Sequence, residues 1–130
     1  MVAEMGTGGQ GMSVMPLRTE ADLDGLLAQA GAQPVLIFKH STKCPISAAA
    51  YRAFHAAIEG GELGAVRPAL VRVIEERPVS QAIAARLGVQ HESPQALLVR
   101  DGRVVWEASH YDITRDALRA AVREATASPS

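Results

Sequence analysis

The stretch FKHSTKCPIS, residues 38–47, joins the end of an apolar run to the only cysteine of the chain. The run PVLIFKH at 34–40 has the length and composition of a strand that is buried on both faces of a sheet. After the cysteine, the alanine-rich segment ISAAAYRAFHAAIEG at 46–60 predicts a helix that ends at glycine. Cys44 is therefore expected between the carboxyl end of a strand and the beginning of a helix.

Composition limits the kind of protein to which this thiol belongs. The chain has 130 residues, of which 48% are hydrophobic, so we expect one compact domain with a hydrophobic core. Thirteen basic and fourteen acidic residues give a net charge of -1, which argues against nucleic acid or an anionic membrane as a partner. A single cysteine excludes an intramolecular disulfide framework and a multi-cysteine zinc site, and it fits a reducing cytoplasm.

The segments around this stretch alternate between helix and strand patterns. The remaining predicted elements are a helix over 18–31, a strand over 69–76, a helix over 78–89, strands over 95–100 and 103–109, and a helix over 113–125. Thr19 and Thr114 are expected to cap their helices, and Gly88 is expected to end the third helix. The pair Asp101-Gly102 predicts a two-residue turn with positive φ angles, so the last two strands form an antiparallel hairpin.

This order of elements predicts an α/β domain over residues 16–125. Right-handed crossovers make the first two strands parallel, and the hairpin completes a mixed four-stranded sheet with helices on both faces. It is the element order of the thioredoxin-like fold, and the position of Cys44 favours that fold over other three-layer α/β arrangements. Residues 1–15 are expected to form a flexible leader and residues 126–130 a flexible tail.

The predicted position gives Cys44 the surroundings of a reactive thiol. Unpaired N–H groups and the positive end of the helix dipole favour a thiolate at the start of a helix. Pro45 suits the first helical turn, Ser41 or Thr42 is a candidate cap, and Lys43 adds a positive charge. Ser47 can offer a hydroxyl hydrogen bond to the sulfur, but it has no sulfur with which to resolve a mixed disulfide. The alternative is that Cys44 is a small buried hydrophobic residue.

A second feature is Pro94 in HESPQ, residues 91–95, which directly precedes the third predicted strand. A proline at this position can adopt a cis peptide bond and open a backbone edge beside a thiol. An ordinary trans proline at the start of a strand is the alternative. Together with Cys44, Pro94 points to a site of the thioredoxin type.

Three segments, FKHSTKCPIS, HESPQ and VVWEASHYDIT, together resemble the YtxJ family of thioredoxin-like proteins, the monothiol bacilliredoxins. The resemblance extends from about residue 17 to residue 124. It implies a thioredoxin fold, Cys44 as the nucleophile and Pro94 as the cis proline that faces it. It also implies bacillithiol, a low-molecular-weight thiol of the glucosamine-cysteine type, as the cofactor.

On this resemblance the expected reaction is thiol–disulfide exchange with one cysteine. The Cys44 thiolate would attack the bacillithiol sulfur of a protein mixed disulfide and carry the bacillithiol until a second thiol or a reductase removes it. Bacillithiolated client proteins and the regenerating low-molecular-weight thiol or reductase are the expected partners. The catalytic candidates are Cys44, Ser47 and Pro94, and the candidates for binding the small thiol are Lys43, Thr42, Pro45, His40, His91 and Ser93.

Other interpretations stay open on the sequence alone. His40 and His91 flank the key segments, yet a polar residue at the end of a strand is an equally ordinary explanation. The four histidines form no dense ligand cluster in the sequence, so no dedicated metal site is expected. An iron–sulfur carrier with a cluster shared by two subunits is compatible with one cysteine, although Pro45-Ile46 differs from the box of cluster-binding monothiol glutaredoxins. A catalytically silent thioredoxin-like binding module is the third possibility.

Overall fold

A computed structural model of the chain describes residues 14–31 and 33–127. Residues 1–13 of the predicted leader and 128–130 of the predicted tail lie outside the described residues. The described elements are β1 Met15–Pro16, α1 Glu20–Gln29, β2 Val35–His40, α2 Pro45–Glu59, β3 Arg67–Arg72, α3 Arg77–Leu87, β4 Gln95–Arg100, β5 Arg103–Ser109 and α4 Arg115–Ala127. A 3₁₀ turn, His110–Asp112, links β5 to α4.

These strands form one mixed sheet in the order β1-β3-β2-β4-β5. Strands β1, β3 and β2 run parallel, whereas β4 is antiparallel to β2 and β5 is antiparallel to β4. The parallel pairing of β2 with β3 and the closing hairpin are those that the sequence predicts. The predicted α/β class, a mixed sheet with helices on both faces, is therefore confirmed.

The predicted count of four strands is wrong by one. Met15 and Pro16 pair in parallel with Ala69 and Leu70 at the edge of the sheet, although Met15 falls in the predicted leader. A two-residue strand has no alternation by which to recognise it, and a proline in a strand normally argues against pairing except at an edge. This strand is defined by its neighbour β3 and not by a local pattern.

Strand β3 ends at Arg72, earlier than the predicted range of 69–76. Its partner β2 ends at His40, directly opposite Arg72, so the ladder has no further residues to pair. Residues 73–76 form a turn instead, and the Val73 N–H donates a hydrogen bond to the His40 carbonyl at 2.9 Å. The turn therefore lies against the end of β2 from which the chain continues to the cysteine.

Two apolar layers cover the two faces of the sheet. Phe38 of β2 belongs to the layer that contains Phe54 of α2 and Leu118 of α4. Ile37, its neighbour on the strand, belongs to the opposite layer with Leu26 of α1. Each fully buried side chain of this size contributes roughly 1.5–3 kcal/mol. Strand β2 is thus fixed on both faces, as its apolar run predicts, and it supports the loop that carries Cys44.

Local signals in the sequence set most of the element ends. Thr19 Oγ1 accepts a hydrogen bond from the Asp22 N–H at 3.1 Å, and the Asp22 carboxylate accepts one from the Thr19 N–H at 3.2 Å. Gly88 ends α3 in the left-handed conformation with φ of 67°. Asp101 and Gly102 form the hairpin turn with φ angles of 55° and 77°. The predicted cap, helix end and turn are confirmed.

Candidate active site

Cys44 is the N-cap residue of α2, in agreement with its predicted position at the start of the helix, whereas the predicted cap by Ser41 or Thr42 is wrong because α2 begins after them. Its backbone is extended, with φ of -117° and ψ of 122°, and its carbonyl accepts a hydrogen bond from the Ala48 N–H at 3.0 Å. Pro45 occupies the first turn, where a missing N–H removes no helical bond. The cysteine is partly exposed at the amino-terminal end of the helix. This placement suits a nucleophile better than an inert buried residue.

Ser47, three residues after the cysteine, is fully buried. Its Oγ accepts a hydrogen bond from the Ser41 N–H at 2.9 Å and lies 2.7 Å from His40 Nδ1. Within the part of the chain that the structure describes, the predicted hydroxyl–sulfur bond to Cys44 is not among its hydrogen bonds. Because Ser41 and His40 precede the cysteine, Ser47 connects that segment to the first turn of α2.

His40, at the end of β2, lies in a stack of aromatic rings. Its ring centroid is 4.6 Å from that of Tyr51, with an interplanar angle of 14°, and 5.8 Å from that of Phe38. Burial lowers the pKa of His40, and the Glu75 carboxylate partly offsets this effect. The imidazole is therefore mainly neutral near pH 7. Sequence analysis missed Tyr51, for which the available signal is its helical i,i+4 spacing from Ser47.

Lys39 precedes His40 on β2 and points to the opposite face of the sheet. Its side chain is 0% exposed, and its Nζ lies 3.0 Å from Nδ1 of His91. Burial lowers the pKa of Lys39 to about 8, against an opposing effect of Glu92. The lysine side chain donates here, so His91 Nδ1 accepts and the imidazole proton is on Nε2. Sequence analysis missed Lys39, although a lone lysine in a run buried on both faces is itself a signal.

His91 lies in the loop that leads from α3 into β4. Burial lowers the pKa of His91, the charge of Lys39 lowers it further, and Glu92 opposes both effects. The Ser93-Pro94 peptide bond is cis, as predicted, and Pro94 is buried. Ser93 Oγ is also buried and has no hydrogen-bond partner among the described residues. The cis proline thus lies at the entrance to the strand that neighbours β2 in the sheet.

Three segments meet at this end of the sheet. The loop that carries the cysteine contacts the turn after β3 through a hydrogen bond from Thr42 Oγ1 to Glu75 Oε2 at 3.3 Å. The loop before β4 reaches the same end through the contact between Lys39 and His91. Lys39 also pairs in register with Gln95, the first residue of β4. The predicted binding residues that the structure leaves exposed are Thr42, Lys43, Pro45 and His91.

Two further properties concern metals and membranes. Histidine, cysteine, aspartate and glutamate side chains in residues 14–31 and 33–127 form no group of three or more that could hold a metal ion. Over those same residues, the helices are too short or too polar to cross a membrane. The segments around Cys44 are held together by hydrogen bonds and ring contacts between protein groups.

The chain matches a known protein family over most of its length. The family model described as monothiol bacilliredoxin BrxC matches residues 15–118. The chain belongs to the monothiol bacilliredoxin family. The resemblance noted in the FKHSTKCPIS and HESPQ segments is therefore confirmed, and the family name carries a link to bacillithiol.

Solved structures place this bacilliredoxin-family chain among thioredoxin folds. A candidate oxidoreductase with a thioredoxin fold is 32% identical, with a TM-score of 0.75, and the match covers 86% of this chain and 95% of that chain. The thioredoxin of Fasciola hepatica is 21% identical, with a TM-score of 0.67 and coverage of 85% and 98%. The thioredoxin of Trypanosoma brucei brucei is 12% identical, with a TM-score of 0.73 and coverage of 93% and 97%. The predicted thioredoxin fold is confirmed, and the family supports a thiol redox function.

Proposed function

We propose that the protein is a monothiol oxidoreductase that removes or exchanges bacillithiol on protein mixed disulfides through Cys44. The observation that carries the proposal is the partly exposed Cys44 at the N-cap of α2, in a chain with no second cysteine. Membership of the monothiol bacilliredoxin family supports bacillithiol as the small thiol. A diffusible thiol replaces the resolving cysteine that the chain lacks.

The proposed reaction exchanges one disulfide bond for another. The Cys44 thiolate attacks the bacillithiol sulfur of a client mixed disulfide, so a new S–S bond forms as the old bond breaks. The electron pair of the broken bond leaves on the client sulfur, which takes up a proton and becomes a thiol. A second bacillithiol, or the thiol of a reductase, then attacks the bacillithiol sulfur on Cys44 and releases the cysteine thiolate.

Residues close to Cys44 have distinct roles in this proposal. Lys43 is exposed and adjacent to the cysteine, so its charge favours the thiolate. Thr42 anchors the loop through its hydrogen bond to the turn after β3, and Pro45 begins the helix that stabilises the anion. Ser47 fixes the preceding segment and cannot form an internal disulfide. The sulfur is therefore free to react with an external thiol or disulfide.

The loop before β4 and the end of β2 complete the proposed site. We assign Pro94 and Ser93 to the side on which the incoming disulfide lies, because their loop reaches the same end of the sheet as the cysteine loop. His91 is assigned to contact with the small thiol, since it is exposed. His40 is assigned to holding Ser47, its hydrogen-bond partner.

The expected partners are bacillithiolated client proteins and a low-molecular-weight thiol or reductase that regenerates Cys44. A reducing compartment such as the cytoplasm is the setting in which a lone thiol stays reduced. The net charge of -1 gives no reason to add a nucleic acid or a membrane to these partners.

Mass spectrometry provides the test. Wild-type protein incubated with oxidised bacillithiol should gain one mixed-disulfide mass on Cys44, and it should release the thiol of a bacillithiolated client. Cys44→Ser should abolish both results, whereas the matched variant Ser47→Ala should keep the adduct because it retains the nucleophile. Absence of an adduct on the wild type would reject the proposal, and an equally fast adduct with glutathione would reject bacillithiol as the specific thiol.

The alternative functions predict different results in the same protein. An iron–sulfur carrier purified without oxygen would show a visible absorbance band that Cys44→Ser removes, because the cluster needs cysteine thiolates. A silent binding module would form no adduct faster than a free thiol does, and Cys44→Ser would leave its function unchanged.

A further inference from the structure

A cavity opens beside the turn that follows β3. Its volume is about 260 Å³. The residues that line it are Val73, Ile74, Arg77, Ser80, Gln81 and His91. A pocket of this size is smaller than a typical drug-sized site, so it suits a fragment of a small molecule and not a folded chain.

The cavity adjoins the segments that surround the thiol. Val73, in its wall, donates a hydrogen bond through its N–H to the His40 carbonyl at the end of β2, at 2.9 Å. Two residues later, Glu75 accepts the hydrogen bond from Thr42 in the cysteine loop. His91, on another wall, lies in the loop that contains the cis proline. The cavity therefore adjoins the same end of the sheet as the cysteine loop.

The imidazole of His91 is oriented by the protein. Its Nδ1 faces Lys39 Nζ at 3.0 Å and Ser80 Oγ at 3.4 Å. Because Lys39 donates to Nδ1, the proton is on Nε2. Both hydrogen-bond contacts that His91 makes with described residues use Nδ1, so the Nε2–H is available to a ligand.

The cavity also carries the positive charge of Arg77. Arg77 is exposed and forms no ion pair with the residues that the structure describes. Each nearby carboxylate contacts another residue: Glu75 accepts a hydrogen bond from Thr42, Glu76 pairs with Arg72 at 2.8 Å, and Glu92 lies 3.4 Å from a histidine of the 3₁₀ turn. Arg77 and His91 both line the cavity, and the charge of Arg77 adds to the lowering of the His91 pKa, after burial and Lys39.

We infer that this cavity binds the carboxylate-bearing part of the small thiol that reacts at Cys44. The Arg77 guanidinium can hold a carboxylate through two parallel hydrogen bonds, and His91 Nε2–H supplies a third donor. The apolar wall formed by Val73 and Ile74 covers the carbon chain between the sulfur and the carboxylate. This subsite rests on the proposed exchange at Cys44. It predicts that the small thiol carries a negative charge.

Three small disulfides of similar length test the subsite. They are 3,3'-dithiodipropionate, which is anionic, 2-hydroxyethyl disulfide, which is neutral, and cystamine, which is cationic. The measurement is the rate of mixed-disulfide formation on Cys44, followed by mass spectrometry. Arg77→Gln should slow the reaction of the anionic disulfide by about 5- to 20-fold and change the neutral reaction by less than about twofold.

Two further variants distinguish carboxylate binding at a specific subsite from a general electrostatic attraction of anions to the protein. Arg103→Gln removes an equal charge at the hairpin turn, at the other end of the sheet, and should leave all three rates unchanged. Arg77→Lys keeps the charge but cannot form two parallel bonds, so the anionic disulfide should still react at least about threefold more slowly than with wild type. A lysine variant as fast as wild type would overturn the subsite.

The outcomes also separate this inference from the proposed function. If wild type forms no adduct with any disulfide, both the exchange reaction and the subsite are rejected. If adducts form, but Arg77→Gln reacts with the anionic disulfide at the wild-type rate, only the subsite is rejected. Selective slowing of the anionic disulfide supports both.

Discussion

Lys39 and His40 are adjacent on β2, yet their side chains lie in two different environments on opposite faces of the sheet. On one face, His40 stacks on Tyr51 and contacts a buried serine at 2.7 Å. On the other face, Lys39 contacts His91 at 3.0 Å, and His91 borders a cavity. The first environment is closed by ring packing, whereas the second ends at solvent. One face therefore fixes the cysteine loop, and the other presents polar groups to a ligand.

Replacing Lys39 with methionine should give the largest change in stability. Burial lowers the pKa of Lys39 from 10.5 to about 8. Below pH 8 the Lys39 amine is charged in both the folded and the unfolded state. Between pH 8 and 10.5 the unfolded chain binds more protons than the folded protein. The free energy of unfolding of wild type should therefore rise through that range, by about 3 kcal/mol from this group alone.

The comparison of variants isolates that effect. Methionine fills a similar volume without a charge, so Lys39→Met should be more stable than wild type near pH 7, by an amount that shrinks as the pH rises toward 10. Lys43→Met, at an exposed lysine, should follow wild type at every pH. Urea unfolding at several pH values measures the difference. If the difference in the free energy of unfolding between Lys39→Met and wild type stays constant from pH 7 to 10, the lysine is not desolvated.

Two buried serines give a direct comparison of the two faces. Ser47 Oγ lies 2.7 Å from His40 Nδ1 and accepts a backbone N–H at 2.9 Å. Ser80 Oγ makes one longer contact, at 3.4 Å, with His91 Nδ1, which Lys39 already occupies. His40 Nδ1 has Ser47 as its hydrogen-bond partner, so the His40 face should lose stability without that serine. On the Lys39 face, His91 Nδ1 keeps Lys39 as a partner when Ser80 is removed.

Alanine at each position should reveal this asymmetry. Ser47→Ala leaves the partly buried Ser41 N–H and an imidazole nitrogen without their partner, so the free energy of unfolding should fall by about 2 kcal/mol. Ser80→Ala should lower it by about 0.5 kcal/mol or less, because a 3.4 Å contact is weak and Lys39 remains. Urea unfolding at pH 7 measures both values. Equal losses would remove the distinction between a closed face and an open face.

Features with local causes were predictable from the sequence. Thr19 and its capping box, and the Asp101-Gly102 turn, depend on the chemistry of two to four consecutive residues, so their signals are local. Cys44 at the N-cap follows from the boundary between an apolar run and an alanine-rich helix. Strand β1 was not predictable, because two residues carry no period and their pairing is decided by Ala69 and Leu70 of a distant segment.

The inner arrangement of the site depends on contacts between distant segments. The sequence predicts that Ser47 offers its hydroxyl to the sulfur, whereas the hydroxyl contacts His40 and a backbone N–H. Its rotamer is chosen by these groups and not by the helix on which it lies. The contact between Lys39 and His91 joins residues that are 52 positions apart, and no local pattern reports such a pair. Sequence alone can single out the cysteine proposed to react, but the groups around it require the folded structure.

An effect smaller than that of Ser47→Ala is expected for the ring stack on the closed face. Tyr51→Leu keeps apolar volume beside His40 but removes the ring that lies 4.6 Å away. Aromatic pairs contribute about 0.5–1.5 kcal/mol beyond their buried area, so the free energy of unfolding should fall by about 1 kcal/mol. Burial is the main cause of the lowered His40 pKa, so loss of the ring should raise that pKa toward its ordinary value, as measured by NMR titration.

Tyr111→Leu is the matched control, because Tyr111 is 77% exposed and makes no ring contact with the described residues. It should change neither the stability nor the His40 pKa. If the His40 pKa also stays unchanged in Tyr51→Leu, the tyrosine ring does not shield the imidazole, and its shielding comes from its other neighbours, Ser47 among them. The contrast with the Lys39 face would then rest on the buried serine contact and the cavity and not on ring packing.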